Sequence, residues 1–185
     1  NDLVCEDITV VTLDGELDIR AGEYVFVWIP GVGEKPFSCL THDPVRLAVI
    51  NVGEFTAQCY DLSPGDEIYL RGPHGVPVKP PKDAHIVCVA GGTGLAAVYQ
   101  IAEDFGNEAQ PVDLFVGART ANRLYFREEC HTVGRVTLAT DDGSAGFAGR
   151  VSDALEEFLS QQPPEALAKM VFYNCGPAPM IHASE

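Results

Sequence analysis

The 185 residues carry 27 Asp and Glu against 12 Lys and Arg, a formal net charge of −15. Such a surface repels nucleic acid and anionic membrane faces, so neither is expected as a partner. The length suffices to bury a real core, in one large domain or two small ones, and no apolar run approaches the length of a membrane span.

In chain order, Ile8 to Leu13 is β-branched and closes on Asp14-Gly15, a pair favoured in hairpin turns. Glu23 to Ile29 mixes Tyr, Phe and Trp with aliphatics and breaks at Pro30-Gly31-Val32-Gly33, so it reads as a second strand entering a loop. Pro36 to Leu40, Arg46 to Val52 and Glu67 to Arg71 are further short strands, spaced by His42-Asp43-Pro44 and Ser63-Pro64-Gly65-Asp66. Strands at this spacing predict a small antiparallel β-barrel. Phe55 to Leu62 has helical spacing, with Gly53-Glu54-Phe55-Thr56 at its start. Free N–H groups there attract phosphate, although a threonine at that position is also an ordinary cap. Gly72-Pro73-His74-Gly75 closes the barrel and Pro77 to Asp83 forms a stiff linker, which puts the domains at residues 1–78 and 84–185.

The second half opens on His85 to Ala90, a Val- and Ile-rich run that hands over at once to Gly91-Gly92-Thr93-Gly94 and a helix from Leu95 to Ala102. An apolar strand, a glycine turn and a helix start form a cradle for a pyrophosphate, because glycines admit close backbone approach and the helix start presents amides. Taken alone, a Gly-Gly-x-Gly turn is equally an ordinary connection. Pro111 to Gly117, Arg135 to Thr140 and Met170 to Asn174 are three more strands, with helices at Arg127 to His131 and Val151 to Leu159. Alternation of this kind predicts a parallel α/β sheet with ligands at the carboxyl ends of its strands. Gly91 to Gly94, Gly117 to Arg119, Asp141-Asp142-Gly143 and Cys175-Gly176-Pro177 occupy those ends. Four loops on one rim favour nucleotide binding.

Six cysteines are scattered singly, without a C-x-x-C pair or a histidine at ligand spacing, so neither a zinc nor an iron–sulfur site is expected within the chain. Unpaired cysteines point to a reducing cytoplasm. The opening at Asn1 and the abrupt close after Ile181-His182-Ala183 predict a piece of a longer protein.

Five segments in register, Gly31 to Ser38, Gly53 to Thr56, Arg71 to Gly75, Thr140 to Ser144 and Cys175 to Met180, carry a resemblance. The chain resembles the ferredoxin–NADP reductase superfamily, which pairs a flavin-binding β-barrel with a nicotinamide-dinucleotide-binding α/β domain. Within it the motifs look like the branch of the dihydroorotate dehydrogenase electron-transfer subunit, with the flavin subunits of sulfur-linked hydrogenases and anaerobic sulfite reductase close by. The family's Arg-x-aromatic-Ser motif falls on Lys35, Pro36, Phe37 and Ser38. The resemblance implies that Ser38 meets the flavin N5 and that Phe37 packs on the ring or ribityl chain. Lys35 departs from the pattern: a point charge cannot grip a pyrophosphate as a bidentate arginine does, which shifts weight to Gly53, Phe55, Thr56 and the amides between them. Gly91, Gly92, Thr93 and Gly94 match the pyrophosphate turn, with Ala96-Ala97 where Ala-Pro is common. Cys175, Gly176, Pro177 and Met180 match the last signature, which sets the cysteine beside the nicotinamide C4. Arg119 meets a 2′-phosphate or solvent, Asp141 joins the rim, and NADH and NADPH both stay open.

The resemblance implies FAD as cofactor and hydride transfer from NAD(H) or NADP(H), with Ser38 and Cys175 at the reacting atoms. It implies a catalytic or iron–sulfur partner subunit in a hetero-oligomer, and a [2Fe–2S] segment beyond Glu185. The alternatives are a hydrogenase or sulfite reductase subunit, a free-standing flavin reductase, and a non-catalytic nucleotide-sensing module.

Overall fold

Side-chain alternation decides how the first half packs. The computed structural model describes residues 2–5, 8–106 and 111–184. Strands β1 (Asp2–Cys5), β2 (Ile8–Leu13), β3 (Glu23–Ile29), β4 (Gly33–Phe37), β5 (Thr41–His42) and β6 (Val45–Ile50) precede helix α1 (Glu54–Asp61) and β7 (Tyr69–Gly75). They pair antiparallel into two sheets, ordered β1-β2-β6-β5 and β4-β3-β7. In β3, Val25, Val27 and Ile29 are buried, whereas Tyr24, Phe26 and Trp28 occupy the other face, as expected of a strand covered on one side. Those valines meet Val45, Leu47 and Val49 of β6 and Phe55 and Cys59 of α1 in one apolar cluster, so the two sheets form the wall of the barrel around it.

Three boundaries differ from expectation. Asp14-Gly15 joins no hairpin, because β2 pairs with β1 and β6 while β3 belongs to the other sheet. The strand expected at Pro36 to Leu40 instead spans Gly33–Phe37, since the turn after Ile29 folds the polar stretch Gly33-Glu34-Lys35 directly back onto β3. Gly72 to Gly75 extend β7 instead of ending it, held by pairing to Tyr24 and Glu23. Pro73 is tolerated because β7 lies at a sheet edge.

The second half contains β8 (His85–Gly91), a 3-10 turn (Gly92–Gly94), α2 (Leu95–Phe105), β9 (Val112–Ala118), a second 3-10 turn (Ala121–Arg123) and α3 (Arg127–Val133). There follow β10 (Gly134–Thr140), β11 (Phe147–Ala148), α4 (Val151–Ser160), α5 (Pro164–Leu167), β12 (Met170–Cys175) and α6 (Ala178–Ala183). The five strands form a parallel sheet ordered β11-β10-β9-β8-β12. Val87 and Val89 pack with Val151, Ala154 and Leu155 of α4, and Cys88 and Ala90 pack with Leu95, Val98 and Ala102 of α2. That second cluster also takes in Ile8, Val10 and Ala48 of the four-stranded sheet, so one core joins the two halves.

The amino ends of the central strands are tied by charge. Asp113, 5% exposed, accepts hydrogen bonds from Arg135 Nε and Nη2, both at 2.7 Å, and lies 2.5 Å from His85 Nε2. The opposite ends of the same strands meet the glycine loops.

Candidate functional site

The glycine turn is built into the rim by close contact. A Cβ on Gly94 would collide with the carbonyl of Cys175 and lie 2.8 Å from Gly176 N, so no larger residue fits. A Cβ on Gly91 would stand 2.6 Å from Met180 Sδ and 3.0 Å from Pro177 Cδ. Gly91, Gly94, Cys175, Gly176, Pro177 and Met180 are therefore one packed unit. Gly92 adopts φ +56°, which glycine takes without strain, and Thr93 is the middle of the 3-10 turn. Cys175 closes β12 opposite Ala90, and burial pushes its thiol above the ordinary cysteine value, so it is neutral at physiological pH.

A cavity of about 510 Å³ lies over this rim. Gly91, Gly92, Arg119, Asp141, Pro177 and Met180 line it, so all four predicted loops converge there. Backbone bonds stitch the loops together: Asp141 N donates to Ala118 O at 3.1 Å and Asp142 N to Arg119 O at 3.2 Å. Ser144 Oγ accepts from Ala121 N at 2.7 Å and donates to Asp142 Oδ1 at 2.5 Å. These Ser144 bonds hold the Asp142 carboxyl below the usual aspartate range. Arg123 and Arg150 also line the cavity, as do Cys5, Ile8 and Ile50 on the facing wall. Sequence reasoning missed these residues. Nothing in the spacing of Arg123 and Arg150 pointed to the rim: folding alone brings them beside Arg119, so that three of the twelve basic residues meet where guanidinium suits phosphate.

The barrel-side residues gather elsewhere. Pro36, Phe37 and Ser38 line a second hollow of about 330 Å³ with Tyr24, Phe26 and Ala97. Phe37 also packs on Phe55 of α1, ring centroids 6.2 Å apart. Thr56 is engaged at the helix start, where its hydroxyl accepts from Val52 N (2.9 Å) and Gly53 N (3.0 Å) and donates to Gly53 O (3.0 Å). That leaves the first-turn amides of α1 as donors for an anion. Lys35 is exposed on β4, opposite Val27. Ser38 lines the second of these two hollows and Cys175 lines neither, and the described residues contain no cluster of three or more His, Cys, Asp or Glu able to hold a metal.

The profile of a protein family described as an oxidoreductase NAD-binding domain matches residues 88–185, which hold the entire rim. The chain belongs to this oxidoreductase family. The probable dihydroorotate dehydrogenase B (NAD(+)) electron transfer subunit of Methanocaldococcus jannaschii is 34% identical over 182 residues, 97% of this chain and 68% of that protein. Its counterpart in Pyrococcus horikoshii is 36% identical over 181 residues, 96% of this chain and 67% of that protein. Over nearly its whole length the chain is thus similar to such subunits, and it spans about two thirds of them.

The fold of this family member is that of ferredoxin–NADP reductases. The ferredoxin reductase in carbazole 1,9a-dioxygenase superposes with a TM-score of 0.84 at 22% identity, covering 99% of this chain and 60% of that one. The NADH-dependent reduced ferredoxin-NADP oxidoreductase gives 0.82 at 24% identity, covering 96% and 66%. No helix among the described residues is long and apolar enough to cross a membrane.

Proposed function

We propose that the chain is the flavin- and dinucleotide-binding part of an electron-transfer subunit like that of dihydroorotate dehydrogenase B. In this reading it passes electrons from NAD(P)H through FAD to a catalytic or iron–sulfur partner. Residues 1–78 hold the flavin and residues 84–185 the dinucleotide. One observation carries the reading: the turn before α2 lines the rim cavity, while Ala97, in the first turn of that helix, lines the aromatic hollow. A single element thus fixes the spacing of two ligand sites.

The residues fit both ligands. A hollow walled by Tyr24, Phe26 and Phe37 and carrying the Ser38 hydroxyl suits a flat heteroaromatic ring, and the open helix start with Lys35 suits a diphosphate, which favours FAD over FMN. When bound, the flavin supplies hydride acceptance and release of single electrons. Ser38 donates a hydrogen bond to the ring edge. The glycine turn and Arg119 hold the dinucleotide phosphates, and the neutral Cys175 thiol borders the nicotinamide without adding charge. Positioning of two rings is the chain's contribution, and no proton relay is required of it.

The test is an absorption spectrum of the protein as purified and identification of the cofactor it releases on heating, then, with FAD added back where the protein is colourless, anaerobic addition of NADH and of NADPH. Flavin bands that bleach on addition support the reading. A colourless protein that cannot be reconstituted leaves a nucleotide sensor, and recovery of FMN alone overturns the FAD assignment. Reduction without transfer to a dihydroorotate dehydrogenase catalytic subunit leaves a free-standing flavin reductase.

A further inference from the structure

The alternation that buries Val25, Val27 and Ile29 leaves the outer face of β3 with three aromatic rings in a row, Tyr24, Phe26 and Trp28. Register adds to them. On β7, Tyr69 stands opposite Trp28, Arg71 opposite Phe26 and His74 opposite Tyr24. Trp28 and Tyr69 pack with centroids 5.0 Å apart, Phe26 and His74 at 5.5 Å. The Arg71 guanidinium lies 4.5 Å over the Phe26 ring and donates to both Glu34 carboxylate oxygens at 2.9 and 3.1 Å. The rows are ordered, yet Trp28 and Tyr69 each expose 45% of their surface.

Charge and continuity bear on what this face suits. Arg71 and Glu34 neutralise one another within it, and at its edge Glu67 accepts from the Tyr69 hydroxyl at 3.3 Å, so the face holds little of the chain's net charge of −15. A basic partner would settle on the acidic remainder and an acidic one would be repelled there, so the aromatic face, with a single excess carboxylate at its edge, suits an apolar, weakly charged protein surface. Tyr24, Phe26 and Pro36 belong both to this face and to the hollow that holds Ser38. A protein seated on Trp28 and Tyr69 therefore borders the proposed flavin site. We propose that the outer face of β4-β3-β7 docks the electron-accepting catalytic subunit through an apolar patch of that subunit, with Trp28 and Tyr69 as anchors. The proposal rests on the electron-transfer reading above.

Trp28 is the single tryptophan of the chain, so the test can leave the fold untouched. The full chain, labelled with 5-fluorotryptophan, is titrated with the unlabelled dihydroorotate dehydrogenase catalytic subunit of the same genome. The one fluorine resonance is expected to shift and broaden as the indole leaves water. Trp28→Ala and Tyr69→Ala are each expected to weaken the complex roughly thirtyfold in sedimentation, the loss of a central aromatic anchor. Electron delivery to the catalytic subunit should fall with it, while NAD(P)H-driven flavin reduction on the isolated chain stays normal. An unmoved resonance in the presence of the catalytic subunit overturns the proposal. So does wild-type affinity in both variants, or a resonance that moves with the concentration of the chain alone, which assigns the face to a second copy. Failure of the labelled chain to reduce its flavin is a separate outcome, which sinks the electron-transfer reading itself.

Discussion

The nucleotide rim and the flavin hollow are built on opposite principles. At the rim, backbone meets backbone: Gly94 presses on the Cys175-Gly176 peptide, and β8 behind it has Val87, Cys88, Val89 and Ala90 fully buried. At the hollow, Pro36 is exposed and Phe37 half-buried, on a strand with no buried residue, and Ser38 just after that strand is half-buried. A site made of packed backbone is set before its ligand arrives, and damage to it damages the fold. A site made of exposed side chains takes its final shape from what binds, and damage to it changes occupancy and rate.

Gly94→Ala tests the first half of that contrast and should have the largest effect. The added methyl meets peptide atoms that cannot swing away, so the cost belongs at the top of the overpacking range, about 3 kcal/mol. Thermal unfolding should drop by roughly 6–12 °C, and calorimetry should find no ADP-ribose binding. A variant that melts and binds like wild type would show the rim to be pliable. On the other side, Ser38→Ala should leave the melting temperature within about a degree while slowing flavin reduction about tenfold, the value of one well-placed hydrogen bond. Stopped-flow absorbance reads this directly, and an unchanged rate removes Ser38 from the reacting edge. Lys35→Arg is smaller still: a bidentate guanidinium in place of a point charge should tighten FAD about threefold. Equal retention of FAD on dialysis by the variant and wild type would show that Lys35 does not touch the diphosphate.

The same contrast explains what could be read in advance. β8, β9, β10 and α4 were legible because buried apolar runs and helical periodicity are intrinsic to a strand sandwiched between helices. β11 and α5 have two and four residues, too short for any period. The polar stretch Gly33-Glu34-Lys35 resembles a loop, and only pairing to β3 makes it a strand. In the site, Gly91, Gly94 and Gly176 were legible because close approach admits nothing larger. Arg150 was not, because it reaches the rim only through the placement of α4, and the Ile8–Ile50 wall depends on contact between residues far apart in sequence.

The smallest predicted effect concerns Asp142, at the junction of the two rim loops. Its Oδ1 accepts from Ser144 N at 3.0 Å and from the Ser144 hydroxyl at 2.5 Å, and Ser144 Oγ in turn accepts from Ala121 N. The carboxylate thereby orients the one hydroxyl that joins the loop after β10 to the loop after β9, beside Arg119 and Asp141. Because these bonds favour the charged form, the folded-state pKa lies below the ordinary aspartate value of about 3.9. A depressed carboxylate adds stability above its unfolded pKa and loses it as the pH falls through the folded value. At neutral pH the junction is therefore fully set, and it loosens only in acid. Asp142 is exposed, so solvent screens the effect and affinity for ADP-ribose in Asp142→Asn should stay within about twofold of wild type at pH 7. The sharper readout is an NMR titration of the Ser144 and Ala121 amides. In the wild type both should move together with a midpoint below 3.9, and in Asp142→Asn that step should vanish. A shared midpoint at the ordinary aspartate value would mean that the Ser144 bonds do not form in solution, and the rim would then owe its shape to the glycine contacts alone.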